Sequence, residues 1–375
     1  MTTLARKYRP TRLRDLLGQD ALRTSLSAAF AHDRIPQAIL LTGVRGVGKT
    51  TTARIIARSV NCEQGPTEDP CGACTSCREI AGDNSLDVIE MDAASQTGVE
   101  AMRDLIENVS YAPMRAGARK IYILDEAHML STSAWNALLK TLEEPPAHVI
   151  FIFATTEPRK IPATIQSRCQ KFSLARIDRE TIAGQLDHVA HAEGVSLEAG
   201  VSGLIAQAGE GSMRDALSIL DQAIAGHAGT VCVDTVRNMI GRATPAALLD
   251  TLAHMVQGKV AQVIPAWRGM IRAGVDPVGA LDDLSMLIHN IALAGHDPAL
   301  LADSGLSPED GARLKKAHDM YGAAYFAGAQ KLLFESRPIV KDSPDPAQAA
   351  EILVLRIAQK FAHGAKTTKT RSTKG

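Results

Sequence analysis

The chain has 375 residues, of which 45% are apolar and 4% aromatic, and 41 basic residues balance 41 acidic ones. This length is sufficient for two or three domains. A net charge of zero gives no support to nucleic-acid binding through overall basicity, so any such surface must be local. The scarcity of aromatic residues argues against a base-stacking platform.

The N-terminal segment contains no sign of export or membrane insertion. Residues 1–10 are polar and basic and lack the apolar core of a signal peptide. No apolar run in the chain approaches membrane-spanning length, so we expect a cytoplasmic protein with no membrane partner. A helix is predicted over 20–33, and on their own the residues before the first strand are best interpreted as a charged leader.

A phosphate-binding motif follows at residues 43–50. Its sequence, Gly-Val-Arg-Gly-Val-Gly-Lys-Thr, matches the P-loop pattern GxxxxGK[ST]. A strand is predicted over 38–42 and a helix after the motif, and this context makes an accidental glycine turn a poor alternative. Lys49 would reach the β- and γ-phosphates of ATP, and the Thr50 hydroxyl would hold Mg²⁺. The expected nucleotide-binding residues here are Gly43, Gly46, Val47, Gly48, Lys49, Thr50 and Thr51.

Four of the six cysteines are clustered after this helix. Cys62, Cys71, Cys74 and Cys77 have the spacing C-x8-C-x2-C-x2-C among polar, turn-forming residues. Four thiolates suit tetrahedral Zn²⁺, and a site closed by four cysteines has a structural rather than a catalytic role. Four scattered buried cysteines are the weaker alternative. The isolated Cys169 and Cys232 are expected only to pack.

A second apolar strand, over 121–124, runs directly into Asp125 and Glu126. This is the Walker B arrangement, in which Asp125 would hold Mg²⁺ and Glu126 would orient and polarise the attacking water. A strand that simply ends in solvated acids is the alternative, and the upstream P-loop disfavours it. We expect His128 to be a local hydrogen-bonding residue rather than a ligand.

Further short strands are predicted at 87–91, 149–154 and 170–174, alternating with helices at 100–109 and 133–142. This alternation predicts a parallel, doubly wound sheet whose ligand lies at the C-terminal ends of the strands. Thr155 and Thr156 end the strand at 149–154, where a polar side chain can sense a γ-phosphate. Arg168 precedes the last strand.

From residue 176 the pattern contains helices only. We expect an ATPase domain over 1–175 with the zinc module at 62–77, a helical lid over 176–241, an all-helical collar over 242–363 and a disordered basic tail over 364–375. Arg214 opens one of the lid helices and could project a cation into a nucleotide cleft. A surface salt bridge is the alternative role for Arg214.

Together these motifs resemble the AAA+ ATPases, and within them the gamma/tau family of bacterial DNA polymerase III clamp-loader subunits. The resemblance covers about residues 4–361 and is most marked in the first 220. The stretches that carry it are residues 6–10, 43–50, 62–77, 92–95, 125–130, 138–146, 154–158, 167–169 and 211–216.

The resemblance implies roles that the residues alone leave open. Tyr8, Arg9 and Pro10 would line the adenine and ribose pocket. Thr155 would be sensor 1 and Arg214 sensor 2. Arg168 would be an arginine finger that enters the ATP site of a neighbouring subunit.

The resemblance also implies partners. The collar would assemble several copies of the chain with the delta and delta prime subunits, and the complex, part of the DNA polymerase III holoenzyme, would open a sliding clamp and load it onto primer–template DNA. The polymerase- and helicase-binding regions of tau have no counterpart here, which suggests a gamma-type form or a shortened tau. Gln96 stands where family members often carry Arg or Lys, so a DNA phosphate contact there would be weaker.

Two other functions remain open on the sequence. A catalytically silent scaffold similar to delta prime would share the cysteine module and the Ser167–Cys169 motif, but the intact P-loop and Walker B residues argue against silence. Another AAA+ ATPase that remodels DNA, such as a branch-migration helicase, is the second alternative. The four-cysteine insertion disfavours it, because those motors generally lack one.

Overall fold

The structure, a computed structural model, describes residues 3–95, 99–226, 229–297 and 308–372. Its internal contacts divide the chain into two compact units, one formed by Met1–Ser196 with Ile205–Ala228 and the other by Leu197–Leu204 with Gly229–Gly375. Gln96 lies outside the described residues, so its expected DNA contact stays a prediction. None of the described helices has the length and apolarity needed to cross a membrane.

The first unit contains a parallel sheet of five strands in the order β2-β3-β4-β1-β5. The strands are β1 Ala38–Thr42, β2 Val88–Asp92, β3 Lys120–Asp125, β4 Val149–Thr155 and β5 Gln170–Ser173. The central strand β4 is buried along its whole length, as expected of a parallel strand covered by helices on both faces. The predicted strands are therefore all present.

Helices cover both faces of this sheet because side chains alternate along each strand. Ile39 and Ile121 belong to the apolar core that includes the helices Asp20–Ala31 and Lys49–Asn61. Leu40 and Tyr122 belong to the core that includes the helices Val99–Val109 and Thr132–Glu143. The helices of the first unit up to β5 are α1 Leu4–Lys7, α2 Asp20–Ala31, α3 Lys49–Asn61, α4 Thr75–Ala81, α5 Val99–Val109, α6 Thr132–Glu143 and α7 Ala163–Gln166. Short 3-10 helices occupy Leu13–Asp15, Ala127–Met129 and Pro158–Lys160.

Three helices, the predicted lid, follow the sheet. They are α8 Arg179–Ala192, α9 Val201–Ala208 and α10 Met213–Ala225. Side-chain caps begin two of them: Asp178 accepts a hydrogen bond from the Thr181 amide at 2.8 Å, and Ser212 accepts one from the Asp215 amide at 3.2 Å. Such caps satisfy amides that the first helical turn leaves without partners.

The second unit is built of helices around a single apolar core that includes the fully buried Trp267. Proline at the first position begins α12 and α14, where its missing amide costs nothing. The helices are α11 Val233–Met239, α12 Pro245–Val256, α13 Val260–Arg272, α14 Pro277–His296, α15 Pro308–Tyr321, α16 Ala323–Lys341 and α17 Pro346–Ser372. The predicted fold class, an α/β sheet followed by helical lid and collar regions, is confirmed.

The last helix differs from expectation. It continues to Ser372, across most of the segment predicted to be disordered, and residues 373–375 lie outside the described part of the chain. Lysine and arginine, which this segment contains at 366, 369 and 371 among its threonines, have high helix propensity, so a helix already started by a packed amphipathic stretch can extend through them. The domain limits given above otherwise stay a prediction.

Candidate functional site

The P-loop connects β1 to the N-terminus of α3. Gly46 and Gly48 have φ values of 78° and 102°, in the region that glycine adopts without a steric penalty. Lys49 is buried, and its Nζ donates to the carbonyl oxygens of Gly43 and Val44, each at 3.0 Å. Burial lowers the pKa of Lys49, and the nearby Glu126 and Asp125 carboxylates oppose this effect.

The remaining P-loop residues lie as a phosphate cradle requires. Val47 is buried, and Thr50 and Thr51 belong to the first turn of α3. The amides of a helical first turn lack intrahelical partners and favour an anion. The residues that the motif predicted therefore lie between a strand end and a helix N-terminus, the geometry that phosphate binding requires.

The Walker B carboxylates lie at the C-terminal end of β3, on the same edge of the sheet as the P-loop. Thr50 Oγ1 donates to Asp125 Oδ2 at 2.5 Å, so the two predicted magnesium ligands are in direct contact. Glu126 has a left-handed backbone with φ 45°, a conformation that costs energy for a residue with a Cβ. Its Oε2 accepts a hydrogen bond from Thr156 Oγ1 at 3.2 Å.

Thr155, the predicted γ-phosphate sensor, is fully buried at the end of β4. Its Oγ1 accepts a hydrogen bond from the Glu157 amide at 3.0 Å. The ring of His128 also contacts it, with Nδ1 3.1 Å from Thr155 Oγ1 and 3.4 Å from Glu126 Oε2. The prediction that His128 forms local hydrogen bonds is confirmed. No sequence motif indicates that its ring lies between Thr155 and Glu126.

The lid contributes the other side of the cradle. Ser212, the N-cap of α10, lies so close to Gly46 that a Cβ built on that glycine would be 1.8 Å from the serine Oγ. The Arg214 amide donates to the Gly46 carbonyl oxygen at 3.5 Å. The structure thus brings the Arg214 backbone to the P-loop, while its side chain is exposed, so the role of its guanidinium stays a prediction.

The N-terminal residues contact the lid as well. The Tyr8 hydroxyl donates to Glu193, just after α8, and the same carboxylate pairs with Lys7 at 2.7 Å. Burial lowers the pKa of Arg9, and the neighbouring Arg54 adds to this effect. Pro10 is half-buried. Tyr8 is therefore tied to the lid, a contact that its sequence motif does not indicate.

Arg168 lies at the N-terminal end of the parallel strands, whereas the P-loop of the same chain lies at their C-terminal end. It precedes the first residue of β5, and the P-loop follows the C-terminal end of the adjacent, parallel β1. A four-residue strand spans about 13 Å, longer than an arginine side chain. The guanidinium instead pairs with Glu143, at 2.5 Å from Nη2 to Oε1, and donates to the Thr164 carbonyl oxygen at 2.6 Å.

The four clustered cysteines form a separate site that runs from the end of α3 into the first turn of α4. The sulfur atoms of Cys62, Cys71, Cys74 and Cys77 all lie within 4.8 Å of one another. Backbone amides donate to three of these sulfurs at 3.3–3.4 Å. Such bonds lower the pKa of Cys71 to about 6, and thiolates are the ligands that zinc requires. Burial instead raises the pKa of Cys77 to about 12, which a bound cation would reverse.

Comparison with protein families accounts for almost the whole chain in three parts. The family described as "DNA polymerase III, delta subunit" matches residues 18–178. The family described as "DNA polymerase III clamp loader subunit, ATPase lid domain" matches residues 181–229. The family described as "DNA polymerase III subunits gamma and tau domain III" matches residues 231–371.

Individual relatives agree with these matches. The chain is 45% identical over 300 residues to DNA polymerase III subunit tau of Escherichia coli, covering 80% of this chain and 46% of that protein. It is 42% identical over 298 residues to the Bacillus subtilis tau subunit, covering 79% and 53%. The chain spans about half the length of the curated relatives that head the comparison.

A gamma subunit from Buchnera aphidicola is matched almost from end to end: 34% identity over 357 residues, covering 94% of this chain and 96% of that protein. Among solved structures, the Thermotoga maritima RuvB Holliday junction branch migration motor is similar, with 19% identity, a TM-score of 0.47, and 65% of this chain and 79% of that chain covered. The near-complete match to a gamma subunit, with the three family matches, shows that the chain belongs to the bacterial DNA polymerase III gamma/tau family.

Proposed function

We propose that this chain is an ATP-hydrolysing motor subunit of a bacterial DNA polymerase III clamp loader. The contact between Thr50 and Asp125 is the observation that carries the proposal. A hydroxyl and a carboxylate at this position are the protein ligands for the magnesium of MgATP, and Lys49 beside them supplies the cation for the β- and γ-phosphates. In this proposal Glu126 polarises the attacking water and Thr155 and Arg214 contact the γ-phosphate.

ATP binding would favour the state that opens a sliding clamp, and primer–template DNA would then trigger hydrolysis and release. ATP binding and hydrolysis act on the clamp because the ATP-bound and hydrolysed states differ in their affinities for the clamp and DNA. The decisive experiment is ATP hydrolysis by the purified chain with its delta and delta prime partners, measured with and without clamp and primed DNA. Turnover stimulated by DNA and clamp is expected. Hydrolysis that neither affects would contradict the clamp-loader assignment.

The same experiment addresses the alternative of a silent, delta prime-like scaffold. Burying a charged side chain costs stability, even beside groups of opposite charge. A silent scaffold would gain nothing in return for burying a lysine beside two carboxylates. The burial of Lys49 with Asp125 and Glu126 nearby therefore favours an active site. A chain that binds no nucleotide would support the scaffold.

Arg168 is proposed to act in a neighbouring copy or partner subunit. Its position beyond the N-terminal end of β5 supports this, since it is too far from the P-loop of its own chain. Arginine fingers are worth about 10³–10⁵ in rate in other NTPases. Arg168→Ala and Lys49→Ala chains should each be inactive alone, yet a co-assembled mixture should recover activity at interfaces that combine an intact P-loop with an intact finger. No recovery in a mixture shown to co-assemble would contradict action in trans.

The cysteine cluster is proposed to hold one structural Zn²⁺. The four sulfurs leave no position for substrate, and they lie in a module of their own, from the end of α3 into the start of α4.

The second unit is proposed to form the collar that joins copies of this chain to delta and delta prime, and the assembly would work in the cytoplasm. Metal analysis of protein purified without chelator, and the mass of the assembly in solution, test these two proposals separately.

A further inference from the structure

His128 lies between two residues to which the proposed hydrolysis gives roles. Its Nδ1 is 3.1 Å from Thr155 Oγ1 and 3.4 Å from Glu126 Oε2. The side chain is only 9% exposed, and the 3-10 helix Ala127–Met129 fixes its backbone directly after β3. A buried ring nitrogen in contact with the Thr155 hydroxyl and the Glu126 carboxylate influences the orientation of both groups and which of their atoms can form further hydrogen bonds.

The first consequence concerns the Thr155 hydroxyl, which has one hydrogen to donate and two lone pairs to accept. The Glu157 amide already donates to this oxygen at 3.0 Å. When His128 carries its proton on Nδ1, the ring donates to the second lone pair. The hydroxyl hydrogen then becomes the group left to interact elsewhere, and a phosphate oxygen, which can only accept, is its natural partner.

The second consequence concerns the Glu126 carboxylate. Thr156 Oγ1 donates to Oε2 at 3.2 Å, and the His128 contact is made to this same oxygen. The single Nδ1–H points mainly to Thr155, and its longer 3.4 Å contact with Oε2 supplements the Thr156 bond. Together they hold the carboxylate group while Oε1 can accept a proton from water. The left-handed backbone of Glu126 makes such support useful, since a strained residue persists only where its surroundings hold it.

We propose that His128 is a positioning residue for ATP hydrolysis: its Nδ1–H turns the Thr155 hydroxyl into a donor to the γ-phosphate and holds Glu126 for the attacking water. This inference rests on the proposed ATPase function. The other ring nitrogen, Nε2, is 3.5 Å from Glu157 Oε1, so the two nitrogens face different partners. That asymmetry makes the inference testable with two amide side chains.

The experiment measures kcat for ATP hydrolysis and the dissociation constant of MgATP on the assembled protein. His128→Asn places an amide near the position of Nδ1 and should keep kcat within about threefold of the unsubstituted chain. His128→Gln extends its amide toward the position of Nε2 and, like His128→Ala, should lose about tenfold or more in kcat, because a misplacement of about 1 Å costs up to 10²-fold. MgATP affinity should change less than threefold in all three variants.

His148 provides a matched control, because this half-buried histidine contacts only backbone carbonyl oxygens in the contacts described, those of Val109 and Tyr111. His148→Ala should leave kcat unchanged. Equal activity of the Asn and Gln variants, activity retained by Gln but not Asn, or normal kcat in His128→Ala would each overturn the inference.

The amide pair carries the test alone if His128→Ala does not fold. Absence of turnover in the unsubstituted chain would overturn the proposed function and this inference with it. Normal turnover in His128→Gln and His128→Ala would overturn the inference alone.

Discussion

Gly46→Ala is the substitution that most directly tests how the lid meets the P-loop. The alanine would hold a left-handed backbone, since φ is 78°, and this costs about 1–2 kcal/mol. Its Cβ would also lie 1.8 Å from Ser212 Oγ and 2.9 Å from Ser212 Cβ, whereas real Cβ contacts essentially never fall below 3.0 Å. The Ser212 side chain must therefore rotate away from its capping position, or the start of α10 must shift, at a further cost of about 1–3 kcal/mol.

Chemical unfolding of the first unit without nucleotide measures this loss, expected at about 2–5 kcal/mol in total. Gly48→Ala is the matched control, because φ is 102° there but nothing lies within 4 Å of the added Cβ. Ser212→Gly supplies the second arm. It removes the clashing side chain, while glycine at an N-cap costs only a few tenths of a kcal/mol relative to serine.

The double-mutant cycle gives the result that decides. Ser212→Gly should restore about 1–3 kcal/mol to Gly46→Ala and nothing to Gly48→Ala. Equal effects of Ser212→Gly in both backgrounds would refute the reasoning, because the loss at Gly46 would then be backbone strain alone.

Four further predictions concern other parts of the molecule. Lys49→Ala should abolish turnover and much of the ATP binding, whereas Glu126→Gln should keep binding and lose turnover, as equilibrium binding and steady-state assays will show. Cys74→Ser should release zinc and lower the stability of its module without abolishing ATPase in the folded fraction, which metal analysis and activity check. Glu143→Gln should free Arg168 and raise hydrolysis by the assembled protein about two- to fivefold, given the modest strength of a partly exposed ion pair; unchanged rates would argue against a restraint. Burial raises the pKa of Asp283 to about 6, although the nearby Arg242 opposes this. The stabilisation from the protonated carboxyl is therefore full below about pH 4 and is lost as the pH rises through 6. Over that range the unfolding free energy, compared with that of Asp283→Asn, should fall by up to about 3 kcal/mol.

Strands and motifs could be predicted because their signal is local. The buried parallel strand β4 is a continuous apolar run, and its predicted limits differ from the observed ones by a single residue. The P-loop and the Walker B pair are short, contiguous motifs whose chemistry requires those residue types. The sulfurs of four cysteines within sixteen residues meet because a tight-turning segment has few other conformations available.

Contacts between distant surface residues could not be predicted, because no periodicity records them. Tyr8 and Glu193 are separated by 185 residues, and Arg168 and Glu143 by 25. Each pair follows from how helices dock on the sheet. The close approach of Ser212 to Gly46 is of the same kind. The P-loop motif explains a glycine at this position, but only the docking of α10 shows the second reason, that a Cβ there would meet Ser212.

In the proposed function, the position of Arg168 would link catalysis to assembly through the direction of the strands. Every strand of the described sheet runs parallel. The residues proposed to bind nucleotide therefore gather at the C-terminal end of the strands, and a residue that precedes β5 lies at the N-terminal end. No side-chain rotation can bring such a residue to its own P-loop. Its pairing with Glu143 in the isolated chain is weak enough to be exchanged, because both side chains are partly exposed and surface pairs contribute about 0–1 kcal/mol. A phosphate oxygen in a dry interface is the stronger partner for a guanidinium, so docking of a neighbour would draw Arg168 away from Glu143 and supply the charge that hydrolysis lacks in the free subunit.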